Sequence, residues 1–297
     1  MFKPNGIIPA LVTPFDEAGK VNEAILRKLV RNTLEAGCHG VFGLGSNGEF
    51  FSLSAEEKLQ IARVVVEEVQ GRVPVYMGTG GNSTIETIAL TNEMEKVGVT
   101  AVSIITPYFV KLSDQEILSH YKSIAKETKL PIILYNIPGL TGNTISPKVV
   151  EELAKVSNIV GVKDSSGSFD NVLQYIQYES ESFSVLVGTD SLILPTLMAG
   201  GSGAIAATAN LLPKVVVSIY ENWNKGNLLD AERAQEKLAP IRFAFKKGTL
   251  PSVLKDSINQ SGLVVGNPRM PVLPVTEKVK SEIGSIITAY KEAGDLD

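Results

Sequence analysis

Short runs of Val and Ile recur at about 20- to 35-residue intervals, and most alternate with longer segments of helical period. An uninterrupted apolar run bounded by Gly or Pro fits a strand covered on both faces, as in a parallel sheet. Parallel neighbours in turn require a crossover between them. Strands are predicted near Ile7 to Val12, His39 to Gly43, Val73 to Met77, Ala101 to Ile105, Pro131 to Tyr135, Ile159 to Lys163, Ser184 to Val187 and Gly203 to Ala206. Between the first two, Asn22 to Ala36 carries Ile25, Leu29, Val30 and Leu34 at three- and four-residue spacing, the stripe of an amphipathic helix. Ser54 with Glu57, and Ser113 with Glu116, have the spacing of a capping box that starts a helix.

Eight strands and seven intervening helical segments predict an α/β fold, a (β/α)8 TIM barrel with a C-terminal helical extension. Length alone leaves one domain or two, since 297 residues is twice the roughly 150-residue prior for a domain. No linker, charge block or low-complexity segment divides the chain. The expected division is therefore a barrel over residues 1–225 and an extension of the same domain over 226–297, with three or four helices after Leu211. A doubly wound open sheet is the alternative, because alternation does not by itself show closure.

Composition narrows the function. With 28 basic against 32 acidic residues the net charge is −4, which provides no field for nucleic acid or an anionic membrane. No run of about 18 apolar residues predicts a transmembrane helix, and MFKPNGIIPALVTPF lacks the apolar core of a signal peptide. The single cysteine, Cys38, rules out an intrachain disulfide and suits a reducing, cytoplasmic compartment. Only two histidines occur, His39 and His120, so multi-histidine zinc sites and Ser–His or Cys–His dyads have little to draw on.

In a βα barrel the chemistry gathers where strands end and βα loops begin. Lys163 ends the apolar run IVGVK. Apolar surroundings favour the uncharged form of an amine, which can add to a ketone and form a Schiff base. A lysine there can equally snorkel and pair with Asp164. Tyr135 ends the preceding strand, either as a proton-shuttling phenol or as a core tyrosine with its hydroxyl bonded to backbone. Ser46 and Asn47 occupy a Gly-flanked turn whose N–H groups can face a carboxylate, or which is only a structural turn. GTGG and AGGSG could cradle a phosphate, but such Gly-rich turns are common and neither matches a P-loop.

The ordered set GIIPALVTPF, GSNGEF, TPY, LYNIPGLTG, GVKDSSG and GGSGAIAATAN resembles the dihydrodipicolinate synthase / N-acetylneuraminate lyase family of Schiff-base (class I) aldolases and lyases, from about Gly6 to at least Pro274. The resemblance implies that Lys163 forms an imine with pyruvate or the pyruvyl end of a 2-keto acid, and that Tyr135 transfers the proton. It further implies that Ser46 and Asn47 hold the keto-acid carboxylate and that the Ile205 carbonyl lies near the imine. Gly188, Asp190 and Leu140 complete the expected substrate contacts. The covalent imine is the electron sink, so no external cofactor or metal is expected, and the family suggests a homotetramer built as a dimer of dimers.

Three departures narrow the member. Leu140 stands where dihydrodipicolinate synthases carry a carboxylate-binding Arg, and Phe109 stands where they carry a proton-relaying Tyr that reaches a neighbouring subunit. Tyr108, next to it, is expected to point elsewhere. Ser191 stands where sialic acid lyases place an acidic residue. The combination LGSNGEF, GTGG, PYFVKLS and YNIPGLTG is most similar to 2-keto-3-deoxygluconate-type aldolases. The expected reaction is thus reversible cleavage of a 2-keto-3-deoxy sugar acid to pyruvate and an aldehyde. The alternatives are condensation of pyruvate with aspartate semialdehyde by a 4-hydroxy-tetrahydrodipicolinate synthase, and a non-catalytic barrel that binds a keto acid.

Overall fold

The computed structural model describes residues 2–296. Its strands are β1 (Gly6–Pro9), β2 (Val41–Gly43), β3 (Val75–Gly78), β4 (Ala101–Ile105), β5 (Ile132–Asn136), β6 (Ile159–Asp164), β7 (Ser184–Val187) and β8 (Gly203–Ala206). All pair in parallel in the order β1-β8-β7-β6-β5-β4-β3-β2, and a parallel bridge between Ala10 and Phe42 brings β1 back to β2. The sheet is therefore a (β/α)8 barrel, not an open doubly wound sheet.

Three predicted strands are shorter than expected, β3 by one residue and β1 and β2 by two. β1 stops at Pro9 because the Val12 N–H turns to the Asn210 side chain, 3.0 Å away. β2 starts at Val41 because His39 is spent on β1: its N–H bonds the Ile7 carbonyl at 2.8 Å and its Nδ1 accepts from the Ile7 N–H at 3.1 Å.

Strand alternation sorts side chains to the two faces. Ile8, Tyr76, Ala101, Ile133, Leu186 and Ile205 fill the barrel, whereas Ile132 and Leu134 pack outward under the helices. Each such Ile or Leu contributes about 1.5–3 kcal/mol by leaving water. The helices Ala55–Val69 and Asp114–Glu127 begin with complete capping boxes at Ser54–Glu57 and Ser113–Glu116.

Beyond Leu211 there are five α-helices, Pro213–Asn224, Leu228–Glu236, Ala239–Ala244, Leu250–Ser261 and Glu277–Glu292, where three or four were expected. The extra break falls before Pro240, which cannot donate to the preceding helix. Among the described residues no helix is long and apolar enough to cross a membrane, and no group of three or more His, Cys, Asp or Glu could hold a metal ion.

Candidate active site

Register brings the two principal residues together. Tyr135 of β5 pairs directly with Lys163 of β6, so both side chains leave the sheet on the same, inner face. Both are buried, at 4% exposure, and the Lys163 Nζ lies 4.0 Å from the centre of the Tyr135 ring and 5.0 Å from that of Phe42. Asp164, one residue on, faces the other way. Its carboxylate accepts from Asn136 Nδ2 at 2.7 Å, Asn171 Nδ2 at 2.9 Å and Ser166 Oγ at 2.6 Å. Burial raises this carboxyl above the ordinary range, against the pull of those donors. Asp164 is thus engaged elsewhere, and among the described residues no ion pair involves Lys163.

Lys163 opens into a cavity of about 340 Å3 at the C-terminal end of the strands. Ser46, Asn47, Tyr135, Gly188 and Ile205 share its wall, while the half-exposed Phe51 and exposed Leu140 form part of the rim. The Ser46 Oγ is 3.3 Å from the Tyr135 Oη, so hydroxyl and phenol are within proton-exchange distance. Asn47 Oδ1 is buried with no partner among the described residues. Gly188 is there for space: a Cβ on it would lie 2.7 Å from the Lys163 Cε and 2.0 Å from the Ser165 Oγ.

Asp190 departs from its expected place. It is fully buried, and its carboxylate accepts from the Ala207 and Thr208 N–H groups at 3.2 and 2.7 Å, tying down the chain beyond β8. Thr189 lines the cavity instead. Tyr108 turns inward, its ring centre 6.3 Å from that of Phe50, whereas Phe109 is 96% exposed at a left-handed φ of +79°. Leu140 sits on a single helical turn, Pro138–Thr141, directly after β5.

Arg242 and Thr249, outside the residues expected from the sequence, reach the cavity from the C-terminal helical region. The Arg242 Nε donates to the Ser191 Oγ at 3.3 Å. No local pattern singles out this arginine, because only chain packing brings the helix Ala239–Ala244 to the barrel mouth.

The Dihydrodipicolinate synthetase family model matches residues 3–290. The chain belongs to this family. The 4-hydroxy-tetrahydrodipicolinate synthase of Methanopyrus kandleri is 40% identical over 284 residues, 94% of each chain. The crystal structure of a dihydrodipicolinate synthase from Bacillus anthracis aligns with a TM-score of 0.94 and 32% identity, covering 97% of this chain and 99% of that one. A prophage protein of the dihydrodipicolinic acid synthase family from E. coli K12, solved in complex with pyruvate, aligns at 0.93 and 33%, covering 97% and 98%. As a member of the dihydrodipicolinate synthetase family the chain is a class I, lysine-imine carbon–carbon lyase, whose chemistry runs through a covalent Schiff base with pyruvate and uses no external cofactor.

Proposed function

We propose that Lys163 is the imine-forming lysine and that the chain cleaves, reversibly, a 2-keto-3-deoxy sugar acid to pyruvate and an aldehyde. The observation that carries the reading is the burial of one amine without an ion-pair partner against Tyr135, whose hydroxyl meets Ser46 in the same cavity. The Lys163 amine adds to C2 of the keto acid and water leaves. Ser46 and Asn47 receive the carboxylate through donors, the backbone N–H groups of their turn and the Ser46 hydroxyl, since the Asn47 Oδ1 is itself an acceptor. Tyr135 takes the C4 hydroxyl proton as the C3–C4 bond breaks, with Ser46 and the bound carboxylate completing the path. The bonding pair passes into the iminium to form an enamine, which is protonated at C3 and hydrolysed to pyruvate and free Lys163.

For the acceptor, the supporting observation is Leu140, an apolar rim residue at the position where a synthase would carry a carboxylate-binding Arg. A second reading, condensation with aspartate semialdehyde, is favoured by the relatives, whose names give the synthase activity and weigh more on this side than on the sugar acid. Under that reading Arg242 is the guanidinium available to the semialdehyde carboxylate. A cytoplasmic location and a homotetramer are parts of the same proposal. The apolar, outward Phe109 supports burial against a second copy, at a position where a phenylalanine cannot relay a proton.

Borohydride reduction in the presence of pyruvate tests the imine. A mass gain of one reduced pyruvyl group on the peptide containing Lys163 is expected, and an unmodified Lys163 would remove both readings in favour of a non-catalytic barrel. Parallel assays with aspartate semialdehyde and with glyceraldehyde, following pyruvate consumption, decide the acceptor.

A further inference from the structure

The loop that presents Ser46 and Asn47 has no anchor of its own at those residues. Among the described residues Asn47 Oδ1 has no hydrogen-bond partner, and the Ser46 hydroxyl bonds the Tyr135 hydroxyl at 3.3 Å. The loop is held just beyond them: the Thr13 Oγ1 donates to the Gly48 carbonyl at 2.7 Å, and Glu49 ties the turn to the C-terminal region. This glutamate is fully buried and adopts a left-handed φ of +55°, a conformation a non-glycine residue keeps only when its surroundings hold it. Its N–H bonds the Ser46 carbonyl at 3.2 Å, coupling its position directly to the substrate-facing turn. One carboxylate oxygen lies 2.6 Å from the Nζ of Lys255, and the other accepts from the Arg269 N–H at 2.8 Å.

Lys255 belongs to the helix Leu250–Ser261, more than 200 residues away along the chain. It is fully buried, lies 4.0 Å from the centre of the Phe15 ring, and donates to the Asn267 carbonyl at 3.2 Å. Arg269 stacks 4.3 Å from the same ring and grips Glu57, Ser52 and Gly19 around the base of the loop. None of these groups faces the reacting cavity. A buried ion pair is weak evidence for stability, since an apolar pair of the same shape does as well. Its value lies in directing the backbone that bears it.

We propose that Lys255 is a positioning residue for the keto-acid carboxylate: by pairing with Glu49 it sets the Ser46–Asn47 turn, so that the C-terminal helical region controls pyruvate affinity from outside the cavity. This rests on the pyruvate-imine reading above. The groups facing the amine are Glu49 from the β2 loop and Arg269 from the 263–275 segment, with Glu57 behind Arg269. Burial brings the Lys255 amine down to about 8 despite the opposing pull of Glu49. The amine is therefore charged, and the loop held, below about pH 8; above it Glu49 is left without its counter-charge and the turn loosens.

The test measures the pyruvate concentration that gives half-maximal borohydride trapping on Lys163, together with pyruvate KM and kcat, between pH 6.5 and 9. Wild type, Lys255→Met, Glu49→Gln and the double variant are compared, each with a circular dichroism spectrum and a thermal melt. For Lys255→Met at pH 7 the half-saturating pyruvate is expected to rise about tenfold with the trapping plateau within about twofold, while kcat for cleavage falls as well because the same turn carries Ser46 into the proton path. The wild-type value should climb through about pH 8, and the double variant, with no buried charge left to titrate, should lack that climb. A folded Lys255→Met with wild-type half-saturation overturns the proposal. If that variant does not fold, a folded double variant with wild-type half-saturation at pH 7 overturns it instead. A wild type that never traps pyruvate at any concentration overturns the imine reading itself, and this inference with it.

Discussion

Replacing Gly188 by Ala probes how closely the cavity wall seats the reacting amine. The added Cβ would stand 2.7 Å from the Lys163 Cε and 2.0 Å from the Ser165 Oγ. Carbons rest about 3.5–4.0 Å apart, so Lys163 must withdraw by about 1 Å, or β7 must move away from β6. The serine relieves its own clash by rotating its hydroxyl, and the lysine stem is flexible at its tip. The stability cost therefore belongs at the low end of overpacking, about 1 kcal/mol, or a melting-temperature drop of about 2–4 °C. The rate is expected to suffer far more, because a misplacement of about 1 Å at a reacting group costs on the order of 100-fold. Stopped borohydride trapping with saturating pyruvate measures the rate of imine formation on Lys163, and a thermal melt measures the stability. The expected signature is a large loss of rate beside a small loss of stability. Wild-type trapping in Gly188→Ala would refute the claim that this glycine sets the position of the amine. Collapse of the fold would refute the claim that the clash is absorbed by side-chain tips.

Tyr135→Phe keeps the ring against Lys163 and removes only the hydroxyl; kcat for carbon–carbon cleavage should fall about 100- to 10,000-fold while pyruvate is still trapped, and an unchanged kcat would take the proton-transfer role away from Tyr135. Leu140→Arg adds a guanidinium to the rim, where a charge-assisted hydrogen bond of about 1.5–3 kcal/mol raises kcat/KM for aspartate semialdehyde roughly 10- to 100-fold; no gain would argue that the carboxylate already binds elsewhere, with Arg242 the next residue to substitute. Burial pushes the His120 imidazole down to about 4, so between pH 6.5 and 4 the folded chain binds fewer protons than the unfolded one. Stability from this source is complete above pH 6.5 and decreases as pH falls, by on the order of 3 kcal/mol at pH 4. Urea melts at pH 7 and pH 4.5 should show a smaller loss for His120→Gln than for wild type, and equal losses would contradict the burial argument.

Much of this site is visible in the sequence because a barrel strand ends where its loop begins. The runs ending at Tyr135 and Lys163 locate both residues at strand termini, and the register that sets them opposite each other follows from adjacent parallel strands. Asp190 was misplaced for a physical reason: a polar residue just past a strand can face the cavity or satisfy backbone N–H groups, and residue type does not distinguish the two. Here the Ala207 and Thr208 N–H groups claim it. The choice between Lys163 paired with Asp164 and Lys163 free was likewise open until Asn136, Asn171 and Ser166 were seen to take up the carboxylate.

Residue order alone dictates the alternation of strands and helices, the capping boxes at Ser54 and Ser113, and which loops carry chemically able residues. These depend on periodicity and neighbours a few residues apart, which the order of residues states directly. Long-range packing sets the closure of the sheet between Ala10 and Phe42, the reach of Arg242 into the cavity and the grip of Lys255 on Glu49. Such contacts join segments tens to hundreds of residues apart, and their geometry comes from how barrel and C-terminal helices pack rather than from any pattern local to the chain.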